Sequence, residues 1–550
     1  MLSLSETLIS GPVLYCGIFL SSILFIRRLL SRYSAHKLPL PPGPKGLPIL
    51  GNVFDLPPPG VPEWRHWLKF KEAYGPISSV TALGQTIILI HDKEMASELL
   101  DKRSAKFSSR PFMLFASRIC GFEKTLGFQE HNDDVRAQRK LIARQLGSKS
   151  LMAKFYSGVE FEVQRFLYRA MNDPTHLVEH LQFEAGSFIL NNVYGYKTAS
   201  NGRDPLIALI NQFMSEFSSA VVAGAWPVDI FTWLQYLPEW FPGVKFQAIA
   251  RRYRKTFADA TNIPFEFTER QKARVDCPDS VSRSYVAGLL DGNPDAEEMK
   301  VIRQSALSLY AGGADTTVAS LGYFFLAMSL FPEVQRKAQE EIDRVVGGPG
   351  ARLPGFDDRE NLPYVEAVLK ETWRWMPIAS LGLPHTSNEE DEFHGYRIPK
   401  GSIILPSIAW FARDPKMYSE PEQFKPERFL GKDGIREEEM DPQKFTFGFG
   451  RRVCPGRYSA DANMFLMIAQ SLAVLDIKKW VDPETGKEVE PVVGQVPGIV
   501  SHPAPFECSI TPRTEIHREL VEKLHLQHAE EEAAGGDERY LEGLDISASS

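Results

Sequence analysis

Cysteine is scarce in this chain: five in 550 residues, at 16, 120, 277, 454 and 508. That number and scatter exclude a disulfide framework or a paired zinc-ligand pattern, so the bulk of the chain reads as protein of a reducing compartment. Positive charge is not in excess either. There are 62 Lys and Arg against 70 Asp and Glu, a formal net charge of −8, which leaves no basic field to grip phosphates; nucleic acid is not an expected partner. No P-loop occurs, and Gly448-x-Gly450 lacks the third glycine and the strand–helix setting of a dinucleotide loop, so no nicotinamide or flavin site is expected. From about residue 60 to 512 there is no repeat, linker or low-complexity tract.

One stretch lacks charge altogether. Leu8 to Ile26 is 19 uncharged residues, enough at about 1.5 Å per residue to cross a bilayer core of about 30 Å. Met1 to Thr7 carries no Lys or Arg, whereas Arg27, Arg28, Arg32 and Lys37 follow. This is the flank of an uncleaved single-pass anchor with the rest of the chain in the cytosol, not that of a signal peptide.

Residues 1–36 are therefore read as anchor and basic flank, and 37–51 as a stiff hinge, with four prolines between Pro39 and Pro44. A catalytic domain is expected over 52–512 and an acidic helical tail over 513–550. In that tail His525 and His528 read as a solvated face more readily than as metal ligands. Hydrophobic residues make up 43% of the chain and aromatics 11%, enough for a large core. Helical periodicity dominates, and strands are expected at Ile77 to Ile90, Tyr396 to Leu405 and Val489 to Ile510. The fold class is mainly α with small β-sheets, in one large domain.

The strongest chemical signal is Phe447-Gly-Phe-Gly-Arg-Arg-Val-Cys-Pro-Gly456. Cys454 is the one cysteine in a glycine-rich setting with arginines beside it, and Gly448, Gly450 and Gly456 let backbone approach a flat ligand and aim amides at sulfur. With no His/Asn constellation nearby, an iron–thiolate ligand fits better than a nucleophile.

This segment resembles the haem-binding loop Phe-x-x-Gly-x-Arg-x-Cys-x-Gly of the cytochrome P-450 monooxygenases, of the membrane-anchored, microsomal, fungal-like type. Further segments resemble family marks in the family's order. Ala311-Gly-Gly-Ala-Asp-Thr-Thr317 lies in a long apolar helix opening at Asn293-Pro294-Asp295 and running to about Phe331, and is similar to the oxygen-binding helix. Glu371-Thr-Trp-Arg374 and Pro426-Glu-Arg-Phe429 are similar to the motifs that join in a buried network, here Glu371, Arg374 and Arg428. Two departures stand out. Val135-Arg-Ala-Gln-Arg139 has valine where relatives carry a tryptophan, and His385 stands where many carry an arginine.

The resemblance implies haem b held by the Cys454 thiolate, with Phe447, Gly448 and Gly456 in its loop, and with Arg452, Arg139 and His385 toward the propionates. Asp315 and Thr316 are implied as the proton relay. It implies a monooxygenase using O₂ and electrons from an NADPH-cytochrome P-450 reductase, with cytochrome b5 as a second donor, docked on Arg136, Arg139, Lys140 and Arg144. The implied place is the endoplasmic reticulum membrane and the implied substrate a lipophilic small molecule of secondary metabolism. A reductase-independent peroxygenase or isomerase, and a haem-binding sensor without turnover, are the rival readings. Aromatics from Phe213 to Phe241 are either a membrane-dipping loop or core.

Overall fold

The computed structural model describes residues 38–58, 60–198, 204–222, 224–431 and 439–535, together with isolated positions between 15 and 25. The Leu8–Ile26 anchor as a segment, its basic flank and the end of the acidic tail lie outside the described residues. Among the described residues no single helix is long and apolar enough to cross a membrane.

The molecule is organised on one helix, Ala296–Leu330. Asp295 starts it: its carboxylate accepts from the Glu298 amide and the Glu298 side chain accepts from the Asp295 amide, a capping box. Pro294 precedes the cap. From Ile302 on, the helix is apolar nearly all round, the pattern of a helix surrounded by protein. Leu177–Tyr194, Asp133–Leu146, Phe246–Lys272 and Pro205–Ala220 pack around it. The two adjacent glycines have different reasons. A Cβ at Gly313 would lie 2.3 Å from Ile189 Cδ1, so Gly313 permits close packing on the Leu177–Tyr194 helix, whereas Gly312 has open space beside it.

The sheets are small. Ile77–Ala82 pairs antiparallel with Gln85–Ile90 through a turn at Leu83 and Gly84, both at positive φ, as a two-residue turn that follows the strand twist requires. Ile403–Pro406 joins in parallel and His385–Thr386 closes the sheet. The expected strand from Val489 to Ile510 is instead three pieces, Gln495–Val496, His502–Pro503 and Cys508–Pro512. Prolines at 491, 497, 503 and 505 interrupt it by removing ladder donors. The last piece pairs with Leu475–Lys479, a strand whose apolar start continues the preceding helix pattern and is indistinguishable from it by periodicity.

The helix Glu515–Gly535 packs on Tyr156–Asn172. His525 is stacked on Tyr168 at 3.6 Å and His528 lies 4.6 Å from Phe161, ring centre to ring centre. These histidines pack against aromatic rings, which corrects the expected solvated face. Among the described residues no group of three or more potential metal ligands occurs.

Glu371, Arg374 and Arg428 come together as a buried cluster. Arg374 grips Glu371 with two bonds of 2.7 and 2.9 Å, and Arg428 Nε reaches the same carboxylate at 3.2 Å. The Lys425 amide adds a bond of 2.7 Å. Glu439, absent from the motif, binds Arg428 at 2.8 Å and balances the charge. Its carboxylate lies eleven positions after Arg428, across residues outside the description, with no spacing rule to announce it.

Glu184 on the Leu177–Tyr194 helix is buried with Oε1 unpartnered and Oε2 3.5 Å from Asn463 Nδ2. Burial first, and the nearby Glu162 second, push its carboxyl up from 4.5 to about 8. Between pH 4.5 and 8 the unfolded chain holds fewer protons at this site than the folded one, so stability falls as pH rises through that window. Glu184→Gln is expected to raise the unfolding midpoint near pH 8 and to leave it unchanged near pH 4.5. Midpoints that run parallel for both proteins across this range would refute the titration.

Candidate active site

The loop from Phe447 to Gly456 ends at the Arg457–Val474 helix and is folded on itself: the Cys454 amide donates to the Phe447 carbonyl at 2.7 Å. Gly448 (φ +81°) and Gly450 (φ +50°) take left-handed conformations. At Gly450 a side chain is also excluded sterically, because a Cβ would lie 2.2 Å from the Leu100 carbonyl oxygen. Gly450 donates its amide to Asp101, which ties the loop to the segment that follows the first sheet hairpin. Phe447 packs edge-on to Trp373 at 5.2 Å.

The Cys454 side chain faces an internal cavity of about 370 Å³. Among the described residues it is the only cysteine on that wall. Burial pushes its thiol up, opposed by the Gly456 amide and then by Arg139 and Arg457. The helping cations are thus not the two arginines that precede the cysteine in its loop. Arg451 is exposed, and Arg452 turns away from sulfur to donate to the carbonyls of Ser108, Leu126 and Gln129 at 2.6, 3.1 and 2.6 Å.

The long helix lines the same cavity with Gly312, Gly313 and Thr316. Thr316 Oγ1 donates to the Gly312 carbonyl at 2.6 Å; its hydroxyl oxygen keeps lone pairs to accept with. Asp315 is not on the wall. Its Oδ1 accepts from His502 Nε2 at 3.0 Å, on the side of the helix where His502–Pro503 packs.

Arg110, Arg139, Arg452 and His385 line the same cavity, and no Asp or Glu does among the described residues. Arg110 was not singled out by the sequence; Ser109-Arg-Pro111 carries no pattern that marks it. It is buried, donates to the carbonyls of Gly127, Leu383 and Pro384, and is pushed well down by burial and by Arg452 and Arg139. Arg452 is lowered to about 10 by burial and Arg139. Arg139 donates to the Val453 carbonyl at 2.9 Å and lies half-buried close to Cys454, whereas Arg136, Lys140 and Arg144 of the same helix are exposed. Arg136 is already paired with Asp133. Val135 is fully buried in the core.

His385 Nδ1 donates to the Phe107 carbonyl at 2.7 Å, and burial holds the ring neutral. Its Nε2 is then an acceptor, so it serves a carboxylate only by taking up a proton, and Arg110 is the fixed cation on that side. Three guanidiniums and a thiol on the wall of one cavity, with no acid among its described lining residues to compensate them, form a pocket for a ligand that brings negative charge and accepts sulfur.

The cytochrome P-450 family model matches residues 41–509. The chain belongs to that family. It is 45% identical over 494 residues to cytochrome P-450 monooxygenase claR of Ampulloclitocybe clavipes, covering 90% of each chain. It is 44% identical to cytochrome P-450 monooxygenase ppsD of Aspergillus oryzae over 90% of this chain and 93% of that one. To the O-methylsterigmatocystin oxidoreductase of Aspergillus flavus it is 37% identical over 94% and 96%.

As a cytochrome P-450 the chain is an oxidoreductase that carries haem on a cysteine thiolate, and the cavity fits that group. Cys454 would hold the iron, with Arg110, Arg139 and Arg452 at hand for the propionates and His385 as a proton-sharing partner. When bound, the haem supplies the activation of O₂. The chain's own residues supply the cations for the ligand's charge, the sulfur and the Thr316 hydroxyl on the cavity lining.

Proposed function

We propose that the protein is a membrane-anchored monooxygenase that takes electrons singly from an NADPH-cytochrome P-450 reductase, with cytochrome b5 as a second donor, and oxidises a lipophilic small molecule of secondary metabolism. One O₂, one NADPH and one proton are consumed for each oxygen inserted, and the second oxygen leaves as water. The observation that carries the reading is the one cavity lined both by Cys454 and by Gly312, Gly313 and Thr316 of the long helix. Phe128, Phe213, Phe217, Leu309, Ile378 and Leu383 line its remainder without an acid among the described residues, which favours an uncharged apolar substrate. Relatives named as fungal monooxygenases support the same class.

The proposal includes attachment to the endoplasmic reticulum membrane. Two exposed apolar groups support this. Leu47, Ile49, Leu50 and Phe54 lie at the end of the hinge and just after it, and Phe231, Trp233, Tyr236 and Trp240 stand exposed in the loop that the sequence left open between core and membrane. Phe213 and Trp226, by contrast, pack inward, Trp226 stacked at 3.7 Å on Phe115. Removing residues 2–36 is expected to leave haem content unchanged and to reduce membrane retention; replacing the four exposed aromatics in that protein should then release it into the soluble fraction. Loss of haem on truncation would show the domain to begin earlier.

The test of function is a spectral binding screen of the truncated protein against small-molecule classes, followed by reductase-dependent turnover of the compounds that shift the spectrum. Turnover that needs peroxide and ignores NADPH would instead make it a peroxygenase. Thr316→Ala, which removes a hydroxyl but little volume, is expected to retain haem and binding affinity while product per NADPH falls and hydrogen peroxide rises. An unchanged ratio would confine Thr316 to its bond with Gly312.

A further inference from the structure

Asp315 and Thr316 are adjacent, yet the structure sends them to different places: Thr316 to the cavity wall and Asp315 to His502. Successive helix positions are about 100° apart, so Asp315 sits at the edge of the cavity-facing stripe. The side chains of Asp315 and His502 are 26% and 32% exposed, so the pair reaches solvent. His502 is itself well located. It pairs with Val496, the neighbouring Ser501 amide donates to the Ile378 carbonyl at 2.7 Å, and Pro503 packs where Gly322 has no side chain, 3.0 Å from the position a Cβ would take. Gln495 of the same hairpin accepts from Trp64 at 2.6 Å. The turn between its strands also puts Ile499 and Val500 on the cavity wall.

Resting on the monooxygenase reading, we infer that His502 is a positioning residue that holds the Asp315 carboxylate at the solvent side of the long helix, making the Asp315–His502 pair the outer end of a proton route whose inner end is the Thr316 hydroxyl. A proton taken up from solvent by the Asp315 carboxylate at the pair is passed on toward the cavity, which returns Asp315 to the carboxylate in each turnover and draws the protons used for water from bulk. The hairpin ties this entry to the wall that a substrate touches. His502 carries no motif and lies 187 positions from Asp315, so only the folded chain assigns it.

The test uses the full-length haem protein with a reductase and measures NADPH oxidation in H₂O and in D₂O. His502→Leu is expected to lower the rate about tenfold, the equivalent of one hydrogen bond to a charged group, and to raise the solvent isotope effect. His502→Gln, whose amide nitrogen stands near the position of Nε2, should recover most of the rate and the wild-type isotope effect. The rate of the first reduction, trapped with carbon monoxide, should not change in either. A second readout needs no turnover: in thermal unfolding, Asp315→Leu, His502→Leu and the double variant should lower the midpoint by the same amount, because each breaks the same pair. Additive midpoints, or equal rates and isotope effects in wild type and His502→Leu, would overturn the assignment and leave the monooxygenase reading intact. A wild type that consumes no NADPH with reductase would sink the reading itself.

Discussion

Cys454→Ser is expected to abolish the red-shifted Soret band of the reduced, carbon-monoxide-bound protein, while Cys277→Ser and Cys508→Ser keep it. A serine hydroxyl ionises far less readily than a thiol and is a poor ligand for iron, yet it is close in size, so the Phe447–Gly456 loop should still close on itself. The contrast between cysteines follows from place. Cys508 is pushed up to about 12 by burial alone, with no cation or amide to oppose it, whereas Cys454 has the Gly456 amide, Arg139 and Arg457. Turnover should fall to background in the same variant. Retention of the band in Cys454→Ser, or its loss in a folded Cys277→Ser, would move the iron to another residue.

The second large effect is on folding. Glu371→Ala should cost about 3–5 kcal/mol, the expected result of removing one partner from a buried charge cluster, against a net stability of about 5–15 kcal/mol for a typical protein. Glu371 is 0% exposed and accepts from Arg374, Arg428 and the Lys425 amide. After its loss Glu439 still neutralises Arg428, but Arg374 keeps only the carbonyls of Ala412, Pro421 and Gln423. Little haem-loaded protein should accumulate. Glu439→Ala, which removes a carboxylate that is 17% exposed, should cost less and leave measurable holoprotein. Soluble, haem-replete Glu371→Ala with slow turnover would put the residue in the chemistry, and a Glu439→Ala defect as large as that of Glu371→Ala would refute this ranking of the two carboxylates. Yields, haem-to-protein ratio and urea unfolding measure both.

The features legible in the chain alone are local ones. The long helix is legible as opening within residues 293–295, and the structure sets its cap at Asp295, where a capping box with Glu298 is complete within four residues. The strand-forming stretch Ile77 to Ile90 is legible, and in the fold Leu83-Gly84 divides it into a hairpin whose register the two-residue turn fixes. The haem loop is legible because a thiolate, its close backbone and its glycines fall within ten positions. Whatever depends on distant segments meeting was settled by the fold. Arg110 and Arg139, not Arg451, accompany the ligand pocket, since side-chain direction from a loop is set by the neighbouring carbonyls available to it. Glu439 completes the Glu371 cluster, Gly313 faces Ile189 while Gly312 faces the cavity, and Asp315 turns to His502. Hydrogen bonds and packing act over about 3–4 Å in space and are blind to separation along the chain, so a motif can name a residue while only the fold names its partner.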